Sequence, residues 1–274
     1  MIIKIFTVIG VISSALVWAL SRYTSPQPAE NESPVNVAAV NVSSSVSRTD
    51  NKGSLPIVIE LFTSEGCSSC PSADELLSEL GMKGDLNIIP LAYHVDYWDY
   101  IGWKDPFAQK IFTERQNAYA NALSLNTLYT PQTVIHGRLE CVGSNRERIK
   151  EAIATARNHP AMAGITLSGN EARSAITVDA ISDVELPRSD VWVALFENDL
   201  TTSVKRGENG GRQLHHDYVV RKLIHVSEIS GKKKWNSTVD IPIDKNWNLK
   251  NIGAAAFIQD SFDKTIYAAA SLKL

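Results

Sequence analysis

Two patterns of hydrophobic residues follow one another along the chain, and the change comes near residue 160. From residue 56 to 159, continuous apolar runs alternate with stretches of helical periodicity, as in buried parallel strands joined by amphipathic helices. From residue 161 the apolar residues recur at every second position, as in half-buried strands. The pattern therefore predicts an α/β region followed by an all-β region.

The first region is predicted to have the order β-α-β-α-β-β-α. Strands are expected at residues 56–62 and 86–95, and residues 128–143 are typical of a hairpin that turns at Gly137. The three helices are expected after Pro71, after Asp105-Pro106, and after a capping box that pairs Ser144 with Glu147. The helix expected after Pro71 has its apolar stripe at Ala73, Leu76, Leu77 and Leu80.

The second region is predicted to form an immunoglobulin-like β-sandwich, since about seven short strands follow one another. We therefore divide the chain into four parts. Residues 1–21 are a signal peptide or membrane anchor, and residues 22–54, rich in Ser, Asn, Pro and Thr, are a disordered linker. Residues 55–159 form the α/β domain and residues 160–274 the sandwich.

The balance of charge limits the partners. With 27 basic and 30 acidic side chains the net charge is −3, which argues against a nucleic-acid partner. The apolar N-terminal segment indicates export to the periplasm, and a membrane is expected as a partner only if that segment stays uncleaved.

Cys67 and Cys70, in the sequence EGCSSCPSAD, are the main chemical candidates. Cys67 is expected at the start of a helix, where free backbone N–H groups favour a thiolate, and Cys70 could then resolve a mixed disulfide. The alternative is a structural disulfide. So short a separation closes almost no loop, which favours a redox role.

A C-x-x-C motif between the first strand and its helix, with Thr130-Pro131 before a later strand, resembles the thioredoxin fold. More narrowly, GCSSCPSAD, HVDYWDYIGW and YTPQ resemble an uncharacterised family of exported bacterial proteins that carry a thioredoxin-like domain and a β-rich C-terminal domain. The expected fold is therefore a thioredoxin-like α/β domain followed by an immunoglobulin-like sandwich.

The resemblance implies roles for three further residues. Pro131 would be cis and lie against the cysteine pair, with Thr130 beside it exposing backbone groups to a substrate peptide; an ordinary trans proline is the alternative. Glu60, a carboxylate inside a buried strand, would relay protons to the pair, although a simple hydrogen-bonded carboxylate is an equal alternative.

Several aromatic and polar residues follow the second strand, and they could form a substrate groove or simply cover a large loop. They are His94, Asp96, Tyr97, Trp98, Asp99, Tyr100 and Trp103. Among them we take His94 and Trp98 as candidates for substrate binding. The long polar stretch from Lys205 to Leu223 could likewise reach toward the cysteines or be a plain hairpin.

Other cysteine chemistry is less favoured. Cys141 is expected to be a buried free thiol. A copper site made of Cys67, Cys70 and His94 is one alternative function, and a non-catalytic binding module with a structural disulfide is another. We expect no cofactor and no bound metal.

The function indicated by the sequence is thiol–disulfide exchange on exported proteins or peptides, with a separate redox partner that recycles the cysteine pair.

Overall fold

The computed structural model describes residues 55–84, 87–170 and 174–274. Three α-helices lie in these ranges: α1 (Pro71–Met82), α2 (Lys110–Ala122) and α3 (Arg146–Ala156). The strands of the first half are β1 (Ile57–Thr63), β2 (Ile88–His94), β3 (Gln132–Ile135) and β4 (Leu139–Val142). Those of the second half are β5 (Gly164–Gly169), β6 (Ala175–Ile181), β7 (Ser189–Glu197), β8 (Leu200–Ser203), β9 (Gln213–His216), β10 (Val219–Ile229), β11 (Lys234–Asp240), β12 (Ile252–Asp260) and β13 (Ile266–Lys273).

Eight of these strands form one mixed sheet in the order β13-β12-β7-β10-β2-β1-β3-β4. β1 runs parallel to β2 and antiparallel to β3. The two halves of the chain join where β10 pairs in parallel with β2, with Val219 opposite Ala92. The Ala92 N–H donates to the Tyr218 carbonyl at 2.8 Å.

The helices cover β1 on both sides, because alternate side chains of a strand point to opposite faces. Ile57, Ile59 and Leu61 pack with α1 and α3. Val58 and Phe62 pack on the other face, in a core that includes residues of α2. This burial on both faces explains why the sequence of β1 is an almost continuous run of apolar residues.

A smaller three-stranded sheet, in the order β11-β6-β5, packs against the C-terminal strands of the large sheet. Alternate residues of β5 and β6, such as Ile165 and Val178, meet Val193 of β7 and Ala256 of β12. A further pair of short strands, β8 and β9, stands apart from both sheets.

The prediction of a thioredoxin-like domain followed by a separate immunoglobulin-like sandwich is wrong. The described chain is mostly β, and its main sheet takes strands from both sides of the expected boundary at residue 159. Hydrophobic periodicity reports whether a strand is buried on one face or two, but it does not report which strand pairs with it. β10 pairs with the edge of β2 that does not pair with β1, so strands from the second half of the chain extend the sheet formed by the first half.

The helix starts differ slightly from the prediction. α2 begins at Lys110 rather than after Asp105-Pro106, because the Asp105 carboxylate accepts from the Phe107 N–H in a separate turn. At α3, Asn145 is the N-cap and accepts from the Arg148 N–H, so the expected Ser144–Glu147 capping box is replaced. The hairpin turn at Gly137 is confirmed, with a positive φ of 77°.

The expected signal segment (1–21) and linker (22–54) lie outside the described residues. Within the described part of the chain, no helix combines the length and the apolar character that crossing a membrane requires.

Candidate functional site: the cysteine pair and a buried histidine cluster

The cysteine pair closes the loop between β1 and α1. Cys67 and Cys70 form a disulfide with their Cα atoms 5.4 Å apart, within the usual range. Cys70 is the N-cap of α1, and its carbonyl accepts from the N–H groups of Ala73 and Asp74. Both cysteines are buried, 1% and 0% exposed, whereas Ser68 and Ser69 between them are exposed.

The Thr130-Pro131 segment lies against Cys67. The peptide bond between Thr130 and Pro131 is cis, as expected. The Cys67 Sγ atom is 3.7 Å from the Thr130 carbonyl oxygen. The Trp98 Nε1–H donates to the Thr130 hydroxyl at 2.7 Å, so two of the three expected substrate-binding residues lie beside the pair.

The segment between β8 and β9, residues 204–212, covers the cysteine loop; we call it the strap. The Asn209 side-chain amide donates to the carbonyl oxygens of Glu65 and Cys67 at 2.8 and 2.9 Å. The Glu208 carboxylate accepts from the Ser68 N–H at 2.9 Å. Part of the stretch from Lys205 to Leu223 therefore does reach the cysteines, which was one of the two alternatives.

Close packing fixes the strap in place. Gly207 has a positive φ of 77°, and a Cβ atom added there would lie 3.1 Å from the Ile101 side chain. A glycine suits this position for both reasons. The strap thus contacts the loop after β2 as well as the cysteine loop.

Five buried titratable side chains lie next to the cysteine loop: Glu65, Asp74, His94, Asp105 and His216. We call them the histidine cluster. His216 Nε2 is 3.2 Å from Glu65 Oε1, and His216 Nδ1 is 3.5 Å from Asp74 Oδ2. The Trp103 Nε1–H donates to the other Glu65 oxygen at 2.7 Å.

His94 occupies this cluster rather than a substrate surface. It is fully buried, and its Nδ1 lies 2.7 Å from Asp105 Oδ2. That carboxylate oxygen also accepts from the Glu65 N–H at 2.8 Å. The rings of His94 and His216 are 5.0 Å apart in an edge-to-face arrangement.

The electrostatics of the cluster favour charged groups. Burial by itself would lower the pKa of His216, but the Asp74 and Glu65 carboxylates outweigh burial and raise the pKa to about 10. Burial would raise the pKa of Asp105, but His94 and two backbone N–H donors outweigh it and lower the pKa. At neutral pH His216 is therefore a buried cation.

Glu60 lies away from the cysteines, on the face of β1 that also carries Val58 and Phe62. Its two carboxylate oxygens accept from Arg115 Nε at 2.7 Å and Arg115 Nη2 at 3.0 Å. It also accepts from the Tyr119 hydroxyl. Among the described residues, these side-chain hydrogen bonds of Glu60 go to α2, and none goes to Cys67 or Cys70.

Glu60 belongs to a second buried group, which we call the arginine cluster: Glu60, Arg115, Tyr119 and Gln259. Arg115 Nη2 also donates to the Tyr119 hydroxyl at 3.0 Å and to Gln259 Oε1 at 3.2 Å. Since Gln259 lies on β12, this group connects the two halves of the chain.

Cys141 is the third cysteine. It lies on β4 as a free, partly buried thiol, and burial together with Glu140 raises its pKa to about 11. It is consequently a poor nucleophile at neutral pH.

Among the described residues, no group of three or more His, Cys, Asp and Glu side chains is arranged to hold a metal ion. His94 directs its Nδ1 at Asp105. The copper alternative with Cys67, Cys70 and His94 therefore gains no support.

The sequence reasoning missed Glu65, Asp74, Asp105, Asn209 and Arg115. The doublet His215-His216 lies on β9, where adjacent residues face opposite ways. That same alternation makes His216 buried (2% exposed) while the His215 side chain is 50% exposed. The carboxylates at positions 65 and 74, on either side of the two cysteines, were the available signal.

Comparison with known proteins shows the family of this chain. Residues 58–259 match the family described as "Protein of unknown function (DUF1223)". None of the curated proteins matches the chain significantly.

Two solved structures resemble it over most of its length. A protein from Agrobacterium tumefaciens with a known crystal structure has 30% sequence identity to this chain and a TM-score of 0.67. The alignment covers 81% of this chain and 95% of that one. HBP35 of Porphyromonas gingivalis is 14% identical, with a TM-score of 0.60 and coverage of 81% and 76%, which shows similarity of fold alone. The extent of the family match, together with the 30% identical relative, shows that the chain belongs to the DUF1223 family.

Proposed function

We propose that the protein carries out thiol–disulfide exchange through Cys67 and Cys70 on protein or peptide substrates. The observation that carries the proposal is the position of the pair, with Cys70 as N-cap of α1 and Cys67 in the loop just before it. Unpaired N–H groups at a helix start stabilise a thiolate, and a thiolate is the attacking species in exchange.

The proposed reaction has two steps when the reduced protein meets a substrate disulfide. The Cys67 thiolate attacks one substrate sulfur, a mixed disulfide forms, and the other substrate sulfur leaves as a thiolate. The Cys70 thiolate then attacks Cys67 Sγ, which restores the Cys67–Cys70 disulfide and releases the second substrate thiolate. Two electrons pass to the substrate, and the same steps in reverse oxidise a substrate dithiol.

The surroundings of Cys67 suggest where a substrate would bind. The Thr130 carbonyl lies next to Cys67 Sγ, and the Trp98 ring is anchored to the Thr130 hydroxyl. The strap covers the same loop, since Glu208 accepts from the Ser68 N–H and Asn209 donates to the Cys67 carbonyl. Because Cys67 is only 1% exposed, a substrate must displace some of these contacts to reach its sulfur.

The same burial favours a second candidate, a non-catalytic binding module in which the disulfide only holds the loop to α1. Both cysteines are buried, and the Ser68 N–H already donates a hydrogen bond to the Glu208 carboxylate. The two candidates differ in the redox potential that they require.

The test is the reduction potential of the pair, measured by thiol trapping across a graded glutathione series. A pair that carries out thiol–disulfide exchange should have a reduction potential between about −120 and −270 mV, whereas a structural disulfide should have one below about −300 mV. In an insulin-reduction assay we expect Cys67→Ser to abolish activity and Cys141→Ser to leave it unchanged. A potential below −300 mV, or equal activity of Cys67→Ser and the wild type, would refute the proposal.

A further inference from the structure

His216 connects the two ends of the cysteine loop. Glu65 lies two residues before Cys67, and Asp74 lies four residues after Cys70. His216 contacts both carboxylates, at 3.2 and 3.5 Å. It is contributed by β9, about 150 residues further along the chain, so the environment of the cysteines depends on the second half of the molecule.

The position of Asp74 relates it directly to Cys70. Side chains four residues apart on a helix lie on the same face, one turn from each other. Asp74 is 5% exposed and Glu65 is 1% exposed, so both negative charges lie in a region that water screens weakly. Without a compensating cation, these carboxylates would disfavour a thiolate on either cysteine.

Other charged groups face the same region. Asp105 and His94 form their own close pair at 2.7 Å, and Glu208 of the strap accepts from the Ser68 N–H. His216 is therefore the group that offsets the Glu65 and Asp74 charges.

Three buried atoms of the histidine cluster have no hydrogen-bond partner in the described part of the chain: Asp74 Oδ1, His94 Nε2 and His216 Nδ1. Buried polar atoms are usually paired, because leaving one unpaired costs about 1–3 kcal/mol. Of these three atoms, His216 Nδ1 is still 3.5 Å from Asp74 Oδ2, so its contact with that carboxylate is an ion pair rather than a close hydrogen bond.

We propose that His216 is a positioning residue for the cysteine pair, which holds Glu65 and Asp74 on either side of the Cys67–Cys70 loop and offsets their charge so that the Cys67 thiolate can form. The proposal rests on the proposed function and adds to it that the reactivity of Cys67 is controlled by the C-terminal half.

The test is the pH dependence of Cys67 alkylation in the full chain after chemical reduction, with iodoacetamide as the probe and peptide mass spectrometry to identify the modified cysteine. We expect His216→Gln to move the midpoint upward by about one pH unit, so that alkylation below the midpoint is about tenfold slower. Asp74→Asn removes a negative charge and is expected to move the midpoint downward.

His215→Gln is the matched control, because His215 is adjacent in sequence but faces the opposite side of β9. It should leave the midpoint unchanged. General loosening of the fold would move both variants in the same direction, whereas the charge effect moves them in opposite directions. An unchanged midpoint in His216→Gln, or a shift of the same sign in both variants, would overturn the proposal.

If circular dichroism shows that His216→Gln does not fold, Asp74→Asn decides alone, and an unchanged or raised midpoint then overturns the proposal. The outcome is separate from that of the proposed function. A wild-type disulfide that does not exchange with glutathione would refute oxidoreductase activity, while the alkylation profile of the reduced protein would still report the effect of His216 on Cys67.

Discussion

The arginine cluster and the histidine cluster are both buried, and both connect the N-terminal half of the chain to strands of the C-terminal half. They differ in how completely their atoms are paired. No side-chain polar atom of the described arginine cluster is buried without a hydrogen-bond partner, whereas three atoms of the histidine cluster are.

The cations of the two clusters, Arg115 and His216, also differ in how readily they lose their charge. Arg115 stays charged at any physiological pH, and its planar group donates to both oxygens of Glu60. His216 can lose its proton, and its two nitrogens lie against two separate carboxylates. The comparison suggests that the first cluster stabilises the sheet and that the second adjusts the chemistry of the cysteine pair.

The largest expected effect comes from breaking the arginine cluster. Arg115→Met leaves the Glu60 carboxylate buried without its cation, and we expect the free energy of unfolding to fall by about 3–5 kcal/mol. Urea denaturation followed by circular dichroism measures this. The double variant Glu60→Gln/Arg115→Met should recover most of the loss, since no charge remains unpaired. A single variant as stable as the wild type would contradict the structural role.

The histidine cluster should make stability depend on alkaline pH. The folded-state pKa of His216 is about 10, above its ordinary value of 6.5. Its stabilising contribution is therefore fully present below pH 6.5 and is lost as the pH rises through about 10. We expect the unfolding free energy of the oxidised protein to decline over this range.

The Cys141→Ser background removes the free thiol from this pH series. In that background the decline should be smaller in His216→Gln and unchanged in His215→Gln. Equal slopes in all three proteins would mean that the two clusters do not differ in the way proposed.

The smallest effect is expected at the strap. Asn209→Ala removes three side-chain hydrogen bonds, one of them accepted from Arg212 Nη1, and leaves the carbonyls of Glu65 and Cys67 without that donor, which should cost about 1–3 kcal/mol. The disulfide should also be reduced faster by dithiothreitol, because the covering segment is held less firmly. Asn236→Ala is the control, since Asn236 is exposed on β11 and bonds to Asp179. The strap would be irrelevant to access if both variants were reduced at the wild-type rate.

The local elements could be read from the sequence because their causes are local. The stripe of Ala73, Leu76, Leu77 and Leu80 predicts α1, and all four residues are buried as expected. The start of α2 could not be read in this way. Asp105 looked like a helix cap, but tertiary contacts with His94 and the Glu65 N–H draw its carboxylate into the histidine cluster.

For the candidate site, the sequence by itself indicated the cysteines and the loop that joins them to α1, whereas Thr130-Pro131 was expected beside them only from the resemblance to the thioredoxin fold. Tertiary structure decided the rest. Glu60 faces α2 because β1 alternates its side chains between two covered faces. The pairing of β10 with β2 brings the second half into the main sheet, and β9 places His216 between Glu65 and Asp74. Such contacts join residues far apart in the chain, and no local pattern of hydrophobic and polar positions specifies them.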